Sequence, residues 1–328
     1  MALDFNSIKF ILWSKNLGVS FDRTLTLGHQ GIGMSCSRSK ARRALQQFKI
    51  PATEEEVNQG FERKAFTVTY ADEFLKFLGA KELVTVDHSD FEDATLIHDL
   101  NQVFPEHLRE SFDLVIDGGT LEHIFNYPQA LSNCLDLLQV GGHIITITPA
   151  SGQMGHGFYQ FSPELFFRVF SEERGFAVRK IIGFDVSKID SPFYEIHDPA
   201  TTEQRTSPVG KKPIQLAVLA QKIAKVATIL PPPQQSDYVA IWEKHESQKS
   251  DNATGPAMPQ TPLQRLRVSL NPYWPSWLRD LRNTCRYRYR WAKSKLSYSM
   301  MNQRHFRRLS DHDIFNERSA SPKPHLEK

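Results

Sequence analysis

The feature that most constrains this chain is a run of β-branched segments that stop on aspartate. Residues 82–86 (ELVTV) end at Asp87, residues 94–97 (ATLI) at His98 and Asp99, and residues 112–116 (FDLVI) at Asp117. A fourth run, residues 143–148 (HIITIT), has the composition of a strand buried on both faces. Between the third and fourth, Asn126 and Pro128 open a helix with Leu131, Leu135 and Leu138 on one face, and Gly141 and Gly142 read as its stop. Strands alternating with helices at this spacing predict an α/β fold, a mostly parallel sheet with helices on both faces and right-handed crossovers. Ligands of such sheets bind beyond the carboxyl ends of the strands, near the reversal in strand order. Asp87, Asp99 and Asp117 all fall on that rim.

The flanks extend the pattern. Residues 23–27 (RTLTL) read as a strand entering a glycine-bearing turn, Gly28 to Gly33. Residues 37–48 are helix-prone and basic, and residues 51–60 begin as an acidic loop. Phe74, Leu75 and Leu78 have helical spacing. Residues 163–170 read as a helix, and residues 176–182 and 214–221 as strands. With 40% hydrophobic and 23% charged residues over 328 positions, the chain has material for a full core.

Three segments are expected. Residues 1–228 form the α/β domain. Residues 229–262 form a Pro/Gln/Ser-rich linker with room for one short helix around 238–245. Residues 263–328 form a basic, aromatic-rich helical tail with a disordered end, carrying Trp274, Trp277, Tyr287, Tyr289 and Trp291. From Leu263 onward there are 15 Lys+Arg against 5 Asp+Glu; before it the balance is 25 against 32. A tail of that charge docks on the acidic domain, contacts an anionic membrane surface through 263–309, or binds a polyanion. Nucleic acid is the least favoured partner, because no nucleic-acid module is recognisable. No apolar run of about 18 residues occurs, so no spanning helix is expected. The expected location is the cytoplasm, with a peripheral membrane contact through the tail. Cys36, Cys134 and Cys285 form no CxxC pair, which argues against a zinc knuckle or a disulfide framework.

The rim residues suggest their own chemistry. A carboxylate after the second strand accepts from the ribose hydroxyls of a nucleoside, the role expected of Asp87 with His88 beside it. Asp99, with Leu100 and Asn101, is placed for the base. In Leu27-Gly28-His29-Gln30-Gly31-Ile32-Gly33, the glycines Gly28 and Gly31 let backbone approach a ligand, and Gln30 offers an amide. The spacing is GxxGxG, not the GxGxxG of dinucleotide binders, which disfavours a nicotinamide-linked oxidoreductase. Asp117 and Gly118 open a tight turn leading to Glu122 and His123. Residues 155–164 (GHGFYQFSPE) put His156, Tyr159 and Gln160 before a helix start in which Ser162 is the N-cap and Pro163 the first residue.

The stretch FDLVIDGGTLEHIF resembles the fourth motif of class I S-adenosylmethionine-dependent methyltransferases. LLQVGGHIIT resembles the approach to that family's fifth strand, and VTVDHS and HDLN fall where its ribose and adenine motifs lie. The resemblance covers about residues 20–225. It implies a Rossmann-like, doubly wound sheet of seven strands and S-adenosyl-L-methionine as cofactor. Methyl transfer to oxygen or nitrogen of a small-molecule or saccharide acceptor follows. Gly28, Gln30, Gly31, Asp87, His88, Asp99, Leu100, Asp117 and Gly118 would hold the cofactor. Glu122, Tyr159 and Gln160 would line the acceptor site, and His123 or His156 would take the acceptor's proton. The family usually carries an acid two residues before the first glycine; Thr26 stands there instead. That departure leaves open a second reading, a catalytically degenerate binding or scaffold protein. No metal is expected, since Asp87, His88, Asp90 and Asp93 suit a hard cation only loosely.

Overall fold

The structure is a computed structural model that describes residues 2–33, 37–61, 69–202, 212–225, 232–251, 275–297 and 303–316. Seven strands form the body of one sheet: β2 (Arg23–Leu27), β4 (Glu82–Asp87), β5 (Leu96–Ile97), β6 (Phe112–Asp117), β7 (Leu138–Ser151), β8 (Phe176–Asp185) and β10 (Ile214–Lys222). Two short strands, β9 (Tyr194–Ile196) and β11 (Phe306–Arg308), extend one edge. The order is β11-β9-β8-β10-β7-β6-β2-β4-β5, nine strands where seven were expected. β5, β4, β2, β6 and β7 run parallel, and β10 is inserted antiparallel between β7 and β8. The chain steps from β2 outward to β5, then returns to β6 on the other side. That reversal leaves a crevice beyond the carboxyl ends of β2, β4 and β6.

Each face of the sheet carries its own core. Over one lie α1 (Phe5–Asn16), α2 (Arg38–Gln47), α3 (Glu54–Gly60) and α4 (Asp72–Phe77), packed with Trp13, Phe10, Phe61 and Phe74 against Leu114, Ile116, Ile145 and Leu219. Over the other lie α5 (Tyr127–Leu137) and α6 (Pro163–Val169), packed with Leu131, Phe161 and Phe166 against Leu25, Val115, Ile144 and Val218. The first helix, α1, was not evident from the sequence. It is buried nearly all round, so it shows no one-sided periodicity. Asp4 caps it by accepting from the Ser7 amide at 2.7 Å. A second sheet of two residues per strand pairs β1 (Ala2–Leu3) with β3 (Gly31–Ile32).

Three sequence expectations change. Residues 54–60 are helical, because Thr53 and Glu56 form a reciprocal capping box. Helix α5 ends at Leu137, before Gly141 and Gly142. Buried Lys222 stops it by donating to the carbonyls of Leu135 (3.1 Å) and Leu138 (2.8 Å). The two glycines instead carry a bulge in β7: Phe112 pairs with Leu138 but Leu114 with His143, and a Cβ on Gly142 would lie 2.9 Å from the Gln139 carbonyl. The short α7 (Pro199–Thr202) follows β9, and the segment expected as a linker contains α8 (Ser236–Asp251), twice the helix expected.

In the tail, α9 (Ser276–Ser297) presents exposed Trp277, Leu281, Tyr287 and Tyr289. Residues 252–274, including Trp274, and 317–328 lie outside the described residues. The segment after α9 returns to the body. β11 pairs with β9, and Phe306, Leu309 and Ile314 are buried, the last on α10 (Asp311–Asn316). No helix among the described residues is long and apolar enough to cross a membrane.

Candidate functional site

The crevice begins where β2 ends. Gly28 continues the ladder, its amide donating to the Val86 carbonyl at 2.7 Å, and then turns with φ +71°, a conformation that favours glycine. Thr26 is buried, and its hydroxyl donates to the Gly28 carbonyl at 3.0 Å, closing the turn from within. A Cβ on Gly28 would lie 3.2 Å from Thr120 Oγ1, 3.5 Å from Gln30 Nε2 and 3.7 Å from Asp87 Oδ2. Those three side chains therefore surround the turn.

Gln30 turns inward. It is buried, its Nε2 donates to the Leu27 carbonyl, and its Oε1 accepts no hydrogen bond among the described residues. The amide lies against Gly118, where a Cβ would overlap Gln30 Oε1 and come within 3.0 Å of Leu3 Cδ2. Gly118 is thus a glycine because Gln30 occupies the space above it. His29 faces away. Its ring stacks on Tyr70 (3.6 Å, 5°), with Nε2 2.7 Å from Asp72 Oδ2 and Nδ1 2.5 Å from the Glu92 carbonyl. Gly31 lies in the small β1–β3 ladder, paired with Ala2.

Asp87 ends β4, and Asp99 lies two residues past the end of the neighbouring β5. Asp87 Oδ1 accepts from the His88 amide at 2.6 Å, and the Asp87 carbonyl accepts from His98 N at 2.8 Å. Asp99 accepts from the amide (2.9 Å) and side chain (2.7 Å) of Asn101, which holds its carboxyl below the usual range. His88 is exposed, whereas Leu100 is buried in the core.

The turn after β6 is organised by Asp117. Its Oδ1 accepts from the amides of Gly119 (3.2 Å), Thr120 (2.7 Å) and Leu121 (3.2 Å). Burial still pushes its carboxyl up to about 6. Thr120, which sequence reasoning missed, donates to the Leu27 carbonyl at 2.6 Å and so ties the β6 turn to the end of β2. No local pattern marks it, because its partner lies on another strand. Glu122 follows with no exposed surface. Burial, and then the charge of Asp117, push its carboxyl up to about 8.

The loop after β7 folds over Glu122. The amides of Phe158 (2.8 Å) and Tyr159 (3.2 Å) both donate to the Glu122 carbonyl. Gly157 permits this approach, since a Cβ there would lie 2.9 Å from that carbonyl and 3.2 Å from His123 Nδ1. His156 is carried above the buried acid, with Nε2 3.4 Å from Glu122 Oε1. His123 and His156 stand with ring centroids 5.3 Å apart; burial and the neighbouring imidazole hold His123 below its usual pKa. Tyr159 donates to the Phe125 carbonyl at 2.7 Å and stacks on Phe161. Gln160 accepts from the Gln153 amide at 3.0 Å, which closes the loop on itself.

The predicted residues therefore fall into two groups along one rim. Gly28, Gln30, Asp87, His88 and Asp99 lie beyond β2, β4 and β5, with Gly118 reaching them from the turn after β6. Glu122, His123, His156, Tyr159 and Gln160 gather beyond β6 and β7, with Asp117 between the groups. Leu100 is buried in the core, and Gly31 lies in the β1–β3 ladder.

The strand order, with β10 inserted antiparallel between β7 and β8, is a class I methyltransferase-like fold. No family model and no curated sequence matches the chain. Similar solved structures include the trans-methyltransferase CalH in complex with SAH, at 13% identity and TM-score 0.34 over 66% of this chain; the match spans 57% of CalH. Another is a Burkholderia thailandensis 1,6-didemethyltoxoflavin-N1-methyltransferase with bound 1,6-didemethyltoxoflavin and S-adenosylhomocysteine, at 12% identity and TM-score 0.34, covering 67% of this chain and 78% of that one. A third is a SAM-dependent methyltransferase from Aquifex aeolicus, at 11% identity and TM-score 0.32, covering 64% of this chain and 88% of that one.

Proposed function

We propose that this protein binds S-adenosyl-L-methionine in the crevice beyond β2, β4 and β6 and transfers its methyl group to oxygen or nitrogen of a small-molecule or saccharide acceptor. The observation that carries this reading is the convergence of Gly28, Gln30, Asp87 and Gly118 at the switch in strand order. Asp87 would accept from the ribose hydroxyls, and Asp99, with His88 beside it, would face the adenine end. The unpartnered Gln30 Oε1 is an acceptor suited to the ammonium of the methionine portion, where the family's usual acid is replaced by Thr26.

The cofactor supplies an activated methyl on sulfonium, so the protein's work is chiefly to position the acceptor. The acceptor's lone pair forms the bond to the methyl carbon as the carbon–sulfur bond breaks, and the electron pair stays on sulfur. The acceptor's proton leaves through the shelf of Glu122, His123 and His156, with Tyr159 and Gln160 as its wall.

Calorimetric titration of the purified chain with S-adenosylmethionine tests the reading, alongside mass spectrometry of co-purified nucleosides. Saturable binding supports it. No binding at millimolar cofactor would leave the scaffold reading in its place.

For the tail, we propose contact with an anionic membrane surface through α9. Trp277, Leu281 and Tyr289 are exposed on a helix carrying Arg282, Arg286 and Arg288. Flotation with phosphatidylserine vesicles should be lost on deleting residues 275–297. Equal flotation of both forms refutes it.

A further inference from the structure

Glu122 has no exposed surface, and neither of its oxygens accepts a hydrogen bond among the described residues. A carboxylate in that condition requires a proton or a cation. Its neighbours are the Asp117 carboxylate, whose charge it feels, and the imidazoles of His123 and His156. One ligand atom each from Glu122, His123 and His156 lies within 4.8 Å of the other two. An ion bonded tetrahedrally at about 2.0–2.1 Å holds its ligand atoms about 3.3 Å apart. The Glu122–His156 pair, at 3.4 Å, already has that spacing. His123 is exposed and offers its ring nitrogen within 4.8 Å of the other two ligand atoms. Gly157 fixes the arrangement from behind by letting the loop sit directly on Glu122 and His123.

We propose that Glu122, His123 and His156 form a divalent-metal site at the acceptor end of the rim. Two imidazole nitrogens and one carboxylate select a borderline ion, Zn²⁺, Co²⁺, Fe²⁺ or Mn²⁺, over Mg²⁺ or Ca²⁺. All three ligands come from the protein side, and His156 is 42% exposed, so open coordination positions face solvent. The catalytic consequence, and only that, rests on the methyl-transfer reading. An acceptor hydroxyl bound to the ion through oxygen loses its proton to solvent at a lower pH than the free hydroxyl. Its oxygen then takes the methyl from sulfur, leaving a methyl ether and S-adenosylhomocysteine. With the ion bound, the two histidines serve this step as ligands, in place of the proton-accepting role they have in the metal-free reading.

The test uses the untagged full-length chain, stripped with chelator and titrated with Co²⁺ while visible absorption is recorded. One equivalent should bind, Zn²⁺ should displace it, and Mg²⁺ at the same concentration should not. His156→Ala and Glu122→Gln should each weaken binding about 100-fold or more, whereas exposed His107→Ala should leave it unchanged. His156 sits on a surface loop, so its variant remains informative even where Glu122→Gln fails to fold. Absence of one-equivalent binding at millimolar Co²⁺, equal affinity in His156→Ala and the parent, or equal competition by Mg²⁺ overturns the proposal. A parallel titration of stripped protein with S-adenosylmethionine separates the two ideas. Cofactor binding without a Co²⁺ site sinks the metal alone, and a Co²⁺ site without cofactor binding sinks the methyl-transfer reading alone.

Discussion

Gly118→Ala tests whether the donor side of the rim is built by the packing of Gln30 on Gly118. The added methyl would overlap Gln30 Oε1, lie 2.8 Å from its Cδ and 3.0 Å from Leu3 Cδ2. Gln30 is only 2% exposed and is held by its bond to the Leu27 carbonyl, so it yields only by giving up that bond. Overpacking of this kind costs about 1–3 kcal/mol. The lost hydrogen bond adds about 1 kcal/mol, so the variant should lose roughly 2–4 kcal/mol. In a Gln30→Ala background the space is open, and the same substitution should cost less than about 1 kcal/mol, a coupling of about 1–3 kcal/mol. Urea unfolding of the four proteins, followed by circular dichroism, measures the cycle. Calorimetry on the single variant should show cofactor affinity reduced tenfold or more, because the displaced amide enters the crevice. A Gly118→Ala protein within about 0.5 kcal/mol of the parent, or an equal cost in both backgrounds, refutes the packing argument.

Asp87→Ala should weaken cofactor binding about tenfold, about 1.4 kcal/mol, by removing a charged acceptor from the ribose hydroxyls; an unchanged dissociation constant refutes that role. Stability of the chelated protein should fall as pH rises. Glu122, pushed up to about 8, and Asp117, up to about 6, hold protons in the fold that the unfolded chain has released above about pH 4.5. The loss is on the order of 1.4 kcal/mol for each pH unit over which the proton counts differ. Urea midpoints at pH 5.5 and 8.5 should therefore converge in Glu122→Gln, and parallel profiles would exclude Glu122 as the source. Ending the chain at residue 302 should destabilise the body by several kcal/mol, since burying each side chain such as Phe306, Leu309 and Ile314 contributes about 1.5–3 kcal/mol. An unchanged thermal midpoint would show that this docking contributes nothing.

The strands and turns of the rim were legible in the sequence because their signals are local. HIITIT reads as a strand from its own β-branched residues, and Ser162-Pro163 reads as a helix start from its own capping chemistry. Asp87, Asp99 and Asp117 could be assigned to one rim because parallel strands share an end. Tertiary structure decided what those residues meet. Gln30 and Gly118 are far apart in the chain and come together only because β2 and β6 are neighbours. Glu122 reads locally as one acid in LEHI; its desolvation is made by the loop returning from β7, which brings His156 to 3.4 Å. Helix α1 carries no periodic signature because elements on several sides bury it. Residues 306–314 read as basic tail, yet their apolar side chains find a place only where the edge at β9 is already formed. Propensity acts between near neighbours, whereas burial and the pairing of charges are properties of surfaces that exist only once distant segments have met.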